Sequence, residues 1–398
     1  VRRARRALFL AEEFPPAPGA AARSLGALLA RFPAGSAVVS TPRRSGCGSV
    51  DRGLPVPVRR ARTLVGPQGL GLRLWRAQLD WLVRRSEPSV LVICGTGSDA
   101  TLGLELHESR GVPFVLLLDG PEIAALRASG EVPDHPARDL IDRASAIVVP
   151  TRAAWLEAYK LHTRPHDLEE IPVAVDLERF RPGSPDAALR GRLQAGRGPV
   201  LLTVHDGDPA TDVDTIFQAF AALRGQHKRA VLVAAGFREA AHRSLAKELR
   251  IDRGVRFLDP APGELPDLYR SADLFLTAHA GGRGAPVPGA GTALVEALAS
   301  GLPVLGTRTP VTSDAVDEDE SGVLVEPGAH AKLGKIAADL LRADERRREL
   351  SAAARARAES RHDAARCAER LHTLLEVLLV RRLRREPPAA DGAHAPAA

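Results

Sequence analysis

At 398 residues the chain is too long for one ordinary hydrophobic core and fits two domains with a tail; 44% apolar and 26% charged residues make it globular rather than disordered. The net charge of +6 is carried almost wholly by arginines spread along the chain, and aromatics are only 4%, which argues against a basic stripe with base-stacking platforms and so against nucleic acid as a partner. Cys47, Cys94 and Cys367 have no paired spacing, so neither a disulfide framework nor a zinc site is expected, and a reducing, cytoplasmic compartment is.

The opening "VRRARRALFLAEEF" has the basic front of a signal peptide but only a short apolar run before its acidic pair, and no apolar run approaches membrane-spanning length. "RALFLAEE" predicts a strand, and "APGAAARSLGALLARF" a glycine turn running into an amphipathic helix. "SAVVST", "SVLVIC", "VPFVLLLDG" and "SAIVVPT" predict further short apolar strands, with "GLRLWRAQLDWLVRR" and "ATLGLELHESR" as helices among them. Apolar strands alternating with helices imply a parallel sheet covered on both faces.

After the Pro-rich connection around "EEIPVAVDLERFRPGSPDAALRGRL" the alternation restarts. Strands are expected in "PVLLTVHDG", "RAVLVAAG", "GVRFLDP", "DLFLTA" and "GVLVEPG", and helices in "DTIFQAFAALRG", "AAHRSLAKELRI" and "LPDLYRSA". "PVPGAGTALVEALASGLPVLGT" asks for a glycine-rich approach, a helix with Glu296 early in it, and a buried strand. The chain beyond about 330 reads as helical and the last residues as disordered. The expected organisation is an α/β protein of two Rossmann-like domains facing a cleft: residues 1–175, residues 176–360, a terminal helix over 361–386 and a tail over 387–398.

In this order the segments resemble glycosyltransferase family 4, whose members have the B-type glycosyltransferase fold. "FLAEEFPPAPGAAARSLGALL" is similar to the family's opening strand, Pro-Pro loop and small-residue turn followed by an arginine, placing Gly19 and Arg23 at the acceptor-side cleft loop. "EEIPVAVDLERFRP" resembles the interdomain strand and Val-Asp-x-x-x-Phe signature, "VRFLDPAPGELPDLYRSADLFL" the entry to the donor half, and "GTALVEALASGLPVLGTRTPVTSDAVDEDESGVLVEPG" is the most specific match. The resemblance implies retaining transfer of a sugar from a nucleotide-sugar donor to a carbohydrate or lipid-linked acceptor, without bound metal or other cofactor. It implies C-terminal helices that cross back to the first domain. It places Glu296 at the ribose hydroxyls, with Gly289, Gly291, Thr292 and Asp314 also at the donor. Taken singly, Glu296 could be an acidic residue favouring a helix N-terminus, the glycines a turn, and Arg23 a solvated helix residue.

Several positions depart from the family pattern, and they concern charge. Pro288 stands where the first glutamate of the Glu, seven residues, Glu motif belongs. Asp206 and Thr211 stand where a phosphate-binding arginine and lysine are expected, and Asp119 where a histidine near the donor sugar is common, which makes Asp119 a weak catalytic candidate. Pro310 and Val311 replace a Gly-Gly turn. The acidic run Asp206, Asp208, Asp212, Asp214 is explained by turn and N-cap chemistry, so no metal is expected there. His162 and His166 in "HTRPH" read as solvated. Two functional readings follow: a family 4-like glycosyltransferase, and a catalytically silent homologue that binds or partners. The terminal helix is expected to bury its Leu-rich face and expose its arginines, which anionic membrane would attract.

Overall fold

The computed structural model of the protein describes residues 6–61, 70–130, 136–161, 167–205, 207–261, 263–281, 289 and 291–385. The first half runs β1 (Ala7–Leu10), α1 (Ala20–Ala30), β2 (Ala37–Pro42), α2 (Cys47–Arg52), β3 (Val58–Ala61), α3 (Leu70–Ser86), β4 (Val90–Cys94), α4 (Ser98–Arg110), β5 (Phe114–Leu117), α5 (Gly120–Gly130), α6 (Pro136–Arg143), β6 (Ala146–Val149), α7 (Arg152–Leu161) and β7 (Asp167–Glu170). These strands form one parallel sheet in the order β3-β2-β1-β4-β5-β6-β7. Its core follows from the two-residue strand period. Phe9, Val39 and Val92 face one side with α1, while Leu8, Leu10, Leu91 and Ile93 face the other with Trp75 and Leu79 of α3.

The second half runs α8 (Ala187–Arg192), β8 (Val200–Val204), α9 (Val213–Gln226), β9 (Val231–Ala235), α10 (Ala240–Glu248), β10 (Val255–Leu258), α11 (Leu265–Ser271), β11 (Leu274–Thr277), α12 (Thr292–Ala299), β12 (Val304–Thr307), α13 (Pro310–Ala315), β13 (Gly322–Val325), α14 (His330–Arg342), α15 (Asp344–Arg361) and α16 (Ala364–Arg385). Its sheet is also parallel, ordered β10-β9-β8-β11-β12-β13. Both sheets are therefore doubly wound, and each reverses its strand order once, between β1 and β4 in the first and between β8 and β11 in the second. Those two points are where ligands sit in such sheets, beyond the carboxyl ends of the strands.

The chain crosses between the halves twice, and the crossings hold each other. Val175 N–H donates to His362 O at 2.9 Å and Ala364 N–H to Val175 O at 3.1 Å. The buried His362 ring lies 3.0 Å from Val173 O, and burial pushes its pKa down to about 4. From this crossing α16 returns to the first sheet. Cys367, Leu371, Leu375 and Leu379, spaced four apart, pack with Phe9, Phe14, Leu25 and Phe32. The Leu-rich face is thus buried against the first domain.

The expected α/β architecture of two Rossmann-like units is what the chain forms. Strands β3 and β7 are additional to the predicted set. Each is a sheet edge, and their sequences, Val-Arg-Arg-Ala and Asp-Leu-Glu-Glu, lack the apolar runs of the central strands because an edge is blunted by charge.

Candidate functional site

The two switch points face each other across a cavity of about 410 Å³. The first half contributes Glu13 and Gly19 beyond β1, Cys94 at the end of β4, and Asp119 and Glu122 beyond β5. The second contributes Thr203 in β8, Gly207, Asp208 and Thr211 after it, Thr277 and His279 at β11, and Gly289, Gly291 and Thr292 at the approach to α12. Gly291 takes φ 73° as it enters α12, a left-handed turn that favours glycine. Thr292 then reaches across, its hydroxyl 3.5 Å from Ala20 O at the start of α1.

Glu296 lies one turn deeper than a first-turn position, as the fifth residue of α12, and is 1% exposed. It is held from two sides. Arg23 of α1 donates through Nε to Oε1 at 2.7 Å and through Nη2 to Oε2 at 3.4 Å, and the Tyr269 hydroxyl lies 3.0 Å from Oε2. Arg23 also donates to Pro18 O at 2.7 Å. The expected cleft residue and the expected ribose residue are therefore bound to each other behind the cavity wall. Tyr269 was not singled out in the sequence; "LPDLYRSA" gives no sign that its hydroxyl meets a carboxylate.

The carboxyl groups around the cavity form a second feature. Asp119 and Glu122 cap the start of α5 reciprocally: Glu122 N–H donates to Asp119 Oδ1 at 3.1 Å, and Asp119 N–H to Glu122 Oε2 at 2.8 Å. Behind them Asp99, 1% exposed, accepts from Glu12 N–H at 3.3 Å and Ala100 N–H at 2.9 Å. Burial is the main cause that raises all three acids, Asp99 to about 7, with the charges of Asp208 and Glu13 adding at Asp119 and that of Asp119 adding at Glu122. Burial, with Asp99 and Glu122 nearby, likewise pushes the Cys94 thiol well up. Glu122, raised to about 8, can hold a proton at the cavity wall. The Asp-x-x-Glu spacing in "LDGPE" was the available signal for Glu122; Asp99 sits in "GTGSDA" with none.

Asp208 closes the opposite wall. Its Oδ1 accepts from Ala210 N–H at 2.8 Å and its Oδ2 from Gly289 N–H at 2.9 Å, with His279 Nε2 3.7 Å from Oδ2. Asp212 is the N-cap of α9, accepting from Thr215 N–H at 3.0 Å, in keeping with the turn-and-cap reading of the acidic run. Thr211 is on the cavity, 3.3 Å from His205 Nδ1. Asp314 lies outside the lining: both its oxygens are 2.8 Å from Arg361, which also holds Glu170 of β7 at 2.7 Å, so it joins the two sheets at their junction. Pro310 opens α13 at N1, where no backbone N–H is needed, and Thr309 and Thr312 form the capping box. Asp206, Pro288, His162 and His166 lie outside the described residues. Among the described residues no Lys or Arg lines the cavity, and no group of three metal-ligating side chains is present.

Residues 188–357 match the family model described as Glycosyl transferases group 1. The chain is 32% identical over 246 residues to a D-inositol 3-phosphate glycosyltransferase of Saccharomonospora viridis, covering 56% of this chain and 55% of that protein. It is 30% identical over 184 residues to a GDP-mannose-dependent alpha-(1-6)-phosphatidylinositol monomannoside mannosyltransferase of Mycobacterium tuberculosis, covering 44% and 46%. The chain thus spans about half the length of the curated relatives it matches. In fold it is similar to HepE of Anabaena in complex with UDP and glucose, at a TM-score of 0.75 and 19% identity over 94% of this chain and 99% of that one. It is also similar to WaaG, a glycosyltransferase involved in lipopolysaccharide biosynthesis, at 0.66 and 16% over 93% and 99%. The fold is that of the B-type glycosyltransferases.

Proposed function

We propose that the protein is a glycosyltransferase of the group 1 type, transferring a sugar with retention from a nucleotide-sugar donor to a polyhydroxylated acceptor held between its two domains. One observation carries this reading. The segment that matches the group 1 model supplies a whole wall of the cavity, from Thr203 through Asp208 and His279 to Thr292, and faces Gly19 and Asp119 of the other domain. A saccharide fits a cavity of about 410 Å³. In this reading Gly289, Gly291 and Thr292 contact the donor, Gly19 faces the acceptor, and Glu296 is brought to the ribose only when it leaves Arg23.

A second reading is favoured by the same wall. A leaving diphosphate is stabilised by cations and free N–H groups. Here the described lining has carboxylates, Gly289 N–H is taken by Asp208, and Arg23 is committed to Glu296. A homologue that binds a saccharide without turning over a donor would look like this. Incubation with a panel of uridine and guanosine diphosphate sugars, followed for nucleotide release with and without added saccharides, separates the two. Release that depends on an acceptor supports transfer; saccharide binding with no release from any donor supports the silent reading.

Among the described residues no helix is long and apolar enough to cross a membrane. A cytoplasmic location, with contact between the arginine-rich end of the chain and an anionic membrane, belongs to the same proposal. Co-sedimentation with anionic vesicles at low salt tests it, and absence of binding removes it.

A further inference from the structure

Helix α3 carries two apolar stripes, and the fold uses one of them. Trp75, Leu79 and Leu82 are buried against the first sheet. Leu74, Ala77 and Trp81, spaced i, i+3 and i+7, form a second stripe on the outer side, with Trp81 52% and Leu74 41% exposed. Arg73, Arg84 and Arg85 border this stripe and are exposed too, Arg85 with its guanidinium 5.6 Å from the centre of the Trp81 ring. We propose that this face of α3 docks on an anionic lipid bilayer, with Leu74 and Trp81 at the edge of the acyl chains and the arginines on headgroup phosphates. The surface is separate from the arginine-rich end of the chain, because α16 packs on the other face of the first sheet. Its docking does not depend on whether the protein turns over a donor.

Single exposed apolar residues are ordinary, but here apolar exposure and a charge imbalance coincide. On the flank of α3 that faces α4 the charges are matched: Arg76 lies 3.3 Å from Glu105, and Asp80 3.6 Å from Arg110. Among the described residues no carboxylate, the nearby Glu87 included, forms an ion pair with Arg73, Arg84 or Arg85. Residues 62–69, which precede the helix outside the described residues, read "RTLVGPQG" and bring no acid. The tryptophans differ in the same sense. The indole N–H of Trp75 donates to Ser40 Oγ at 3.0 Å and that of Trp155 to Leu168 O at 3.0 Å, whereas that of Trp81 has no acceptor among the described residues. A half-exposed indole with its N–H unclaimed suits the bilayer interface, where one part of the ring is apolar and the other wet. Arginines beside it add attraction to anionic headgroups. A second copy docked by the same face would set arginine against arginine. A nucleic acid would take the arginines but leave Leu74 and Ala77 without an apolar partner, and one aromatic ring is no stacking platform.

Vesicles of phosphatidylglycerol and phosphatidylcholine, compared with phosphatidylcholine alone, test this on the full chain. The parent is expected to co-sediment with the anionic vesicles at least about tenfold more strongly at low salt, and to be released at about 0.5 M salt. Brominated lipid should quench its tryptophan fluorescence, and Trp81→Phe should remove most of that quenching, since Trp75 is buried. The variant Arg73→Gln/Arg84→Gln/Arg85→Gln should bind at least about tenfold more weakly, with a thermal midpoint at the parent value because all three side chains are exposed. Binding that this variant and Trp81→Ser leave intact, but that Arg381→Gln/Arg382→Gln abolishes, overturns the inference and leaves the contact at the end of the chain standing. No vesicle binding by the parent overturns both. Absence of quenching in the bound parent overturns the inference without any variant, and so does binding of heparin with none of vesicles.

Discussion

Arg23 and Glu296, 273 positions apart, form an ion pair of 2.7 Å between α1 of the first domain and α12 of the second, with side chains only 9% and 1% exposed. Neither domain alone satisfies these charges. The pair therefore couples the position of α12, whose N-terminal turn faces the cavity, to the packing of α1 against it.

Removing one member leaves the other charged and buried. Arg23→Ala is expected to lower stability by about 3–5 kcal/mol, because among the described residues Glu296 then keeps the Tyr269 hydroxyl alone as a side-chain partner. Glu296→Gln should cost less than Arg23→Ala, since an amide oxygen still accepts from Arg23. The double variant Arg23→Ala/Glu296→Gln should cost clearly less than the sum of its single changes. A double-mutant cycle on denaturation midpoints measures this, and simple additivity would show that the pair is not coupled.

The buried acids predict an unusual pH dependence. Asp99 titrates at about 7 in the fold against 3.8 when unperturbed, so between those values the native state holds a proton that the unfolded chain has released. Its contribution is favourable below pH ~4 and is lost progressively as the pH rises to about 7. His362, held at about 4 instead of 6.5, acts in the opposite direction, its contribution being lost as the pH falls through that interval. Comparing Asp99→Asn with the parent cancels the histidine. The difference in thermal midpoint should move in favour of the variant from about pH 4 to about pH 7 and then level off. A difference constant with pH would show that Asp99 is ionised throughout.

The fold was legible because its signals are local. Strands such as Leu8 to Leu10 and Val200 to Leu202 are apolar on both faces, which only a sheet covered twice requires. The stripe Leu371, Leu375, Leu379 likewise announces a packed helix. The site was legible only in part. Glycines at 19, 289 and 291 carry a backbone signal, and all three reach the cavity. The partners of Glu296 and Asp314 could not be read, because Arg23, Tyr269 and Arg361 lie far from them in sequence and are ordinary helix residues by local pattern. Charge balance at a cavity is a property of several loops brought together, so the acidic wall of Glu13, Asp119, Glu122 and Asp208 becomes visible only in three dimensions.

Gly236 marks the closest backbone approach beside the cleft loop. It has φ 82°, and a Cβ there would lie 2.1 Å from His205 O, at the loop that leads from β8 to Asp208. Gly236→Ala combines a left-handed backbone with a clash against main chain, and is expected to cost about 2–5 kcal/mol. Denaturation midpoints measure it. A loss below about 1 kcal/mol would show that the two loops can separate freely.

The last prediction makes the wall less acidic. Thr211 lies on the cavity at a position where the family resemblance expects a lysine, and Asp208 is within the same loop. Thr211→Lys adds a flexible cation there, and Asp208→Asn removes an anion while keeping an oxygen that can accept from Gly289 N–H. At an effective dielectric near 20, one charge at 4 Å is worth roughly 4 kcal/mol before screening and desolvation, so a realised gain of about 1–2 kcal/mol is a modest expectation. The double variant should therefore bind uridine diphosphate about tenfold more tightly than the parent, most clearly at low ionic strength. Calorimetry with uridine diphosphate on the parent and the variant reads the change. If the affinity does not move while the thermal midpoint stays at the parent value, the cavity wall around Asp208 does not face the ligand.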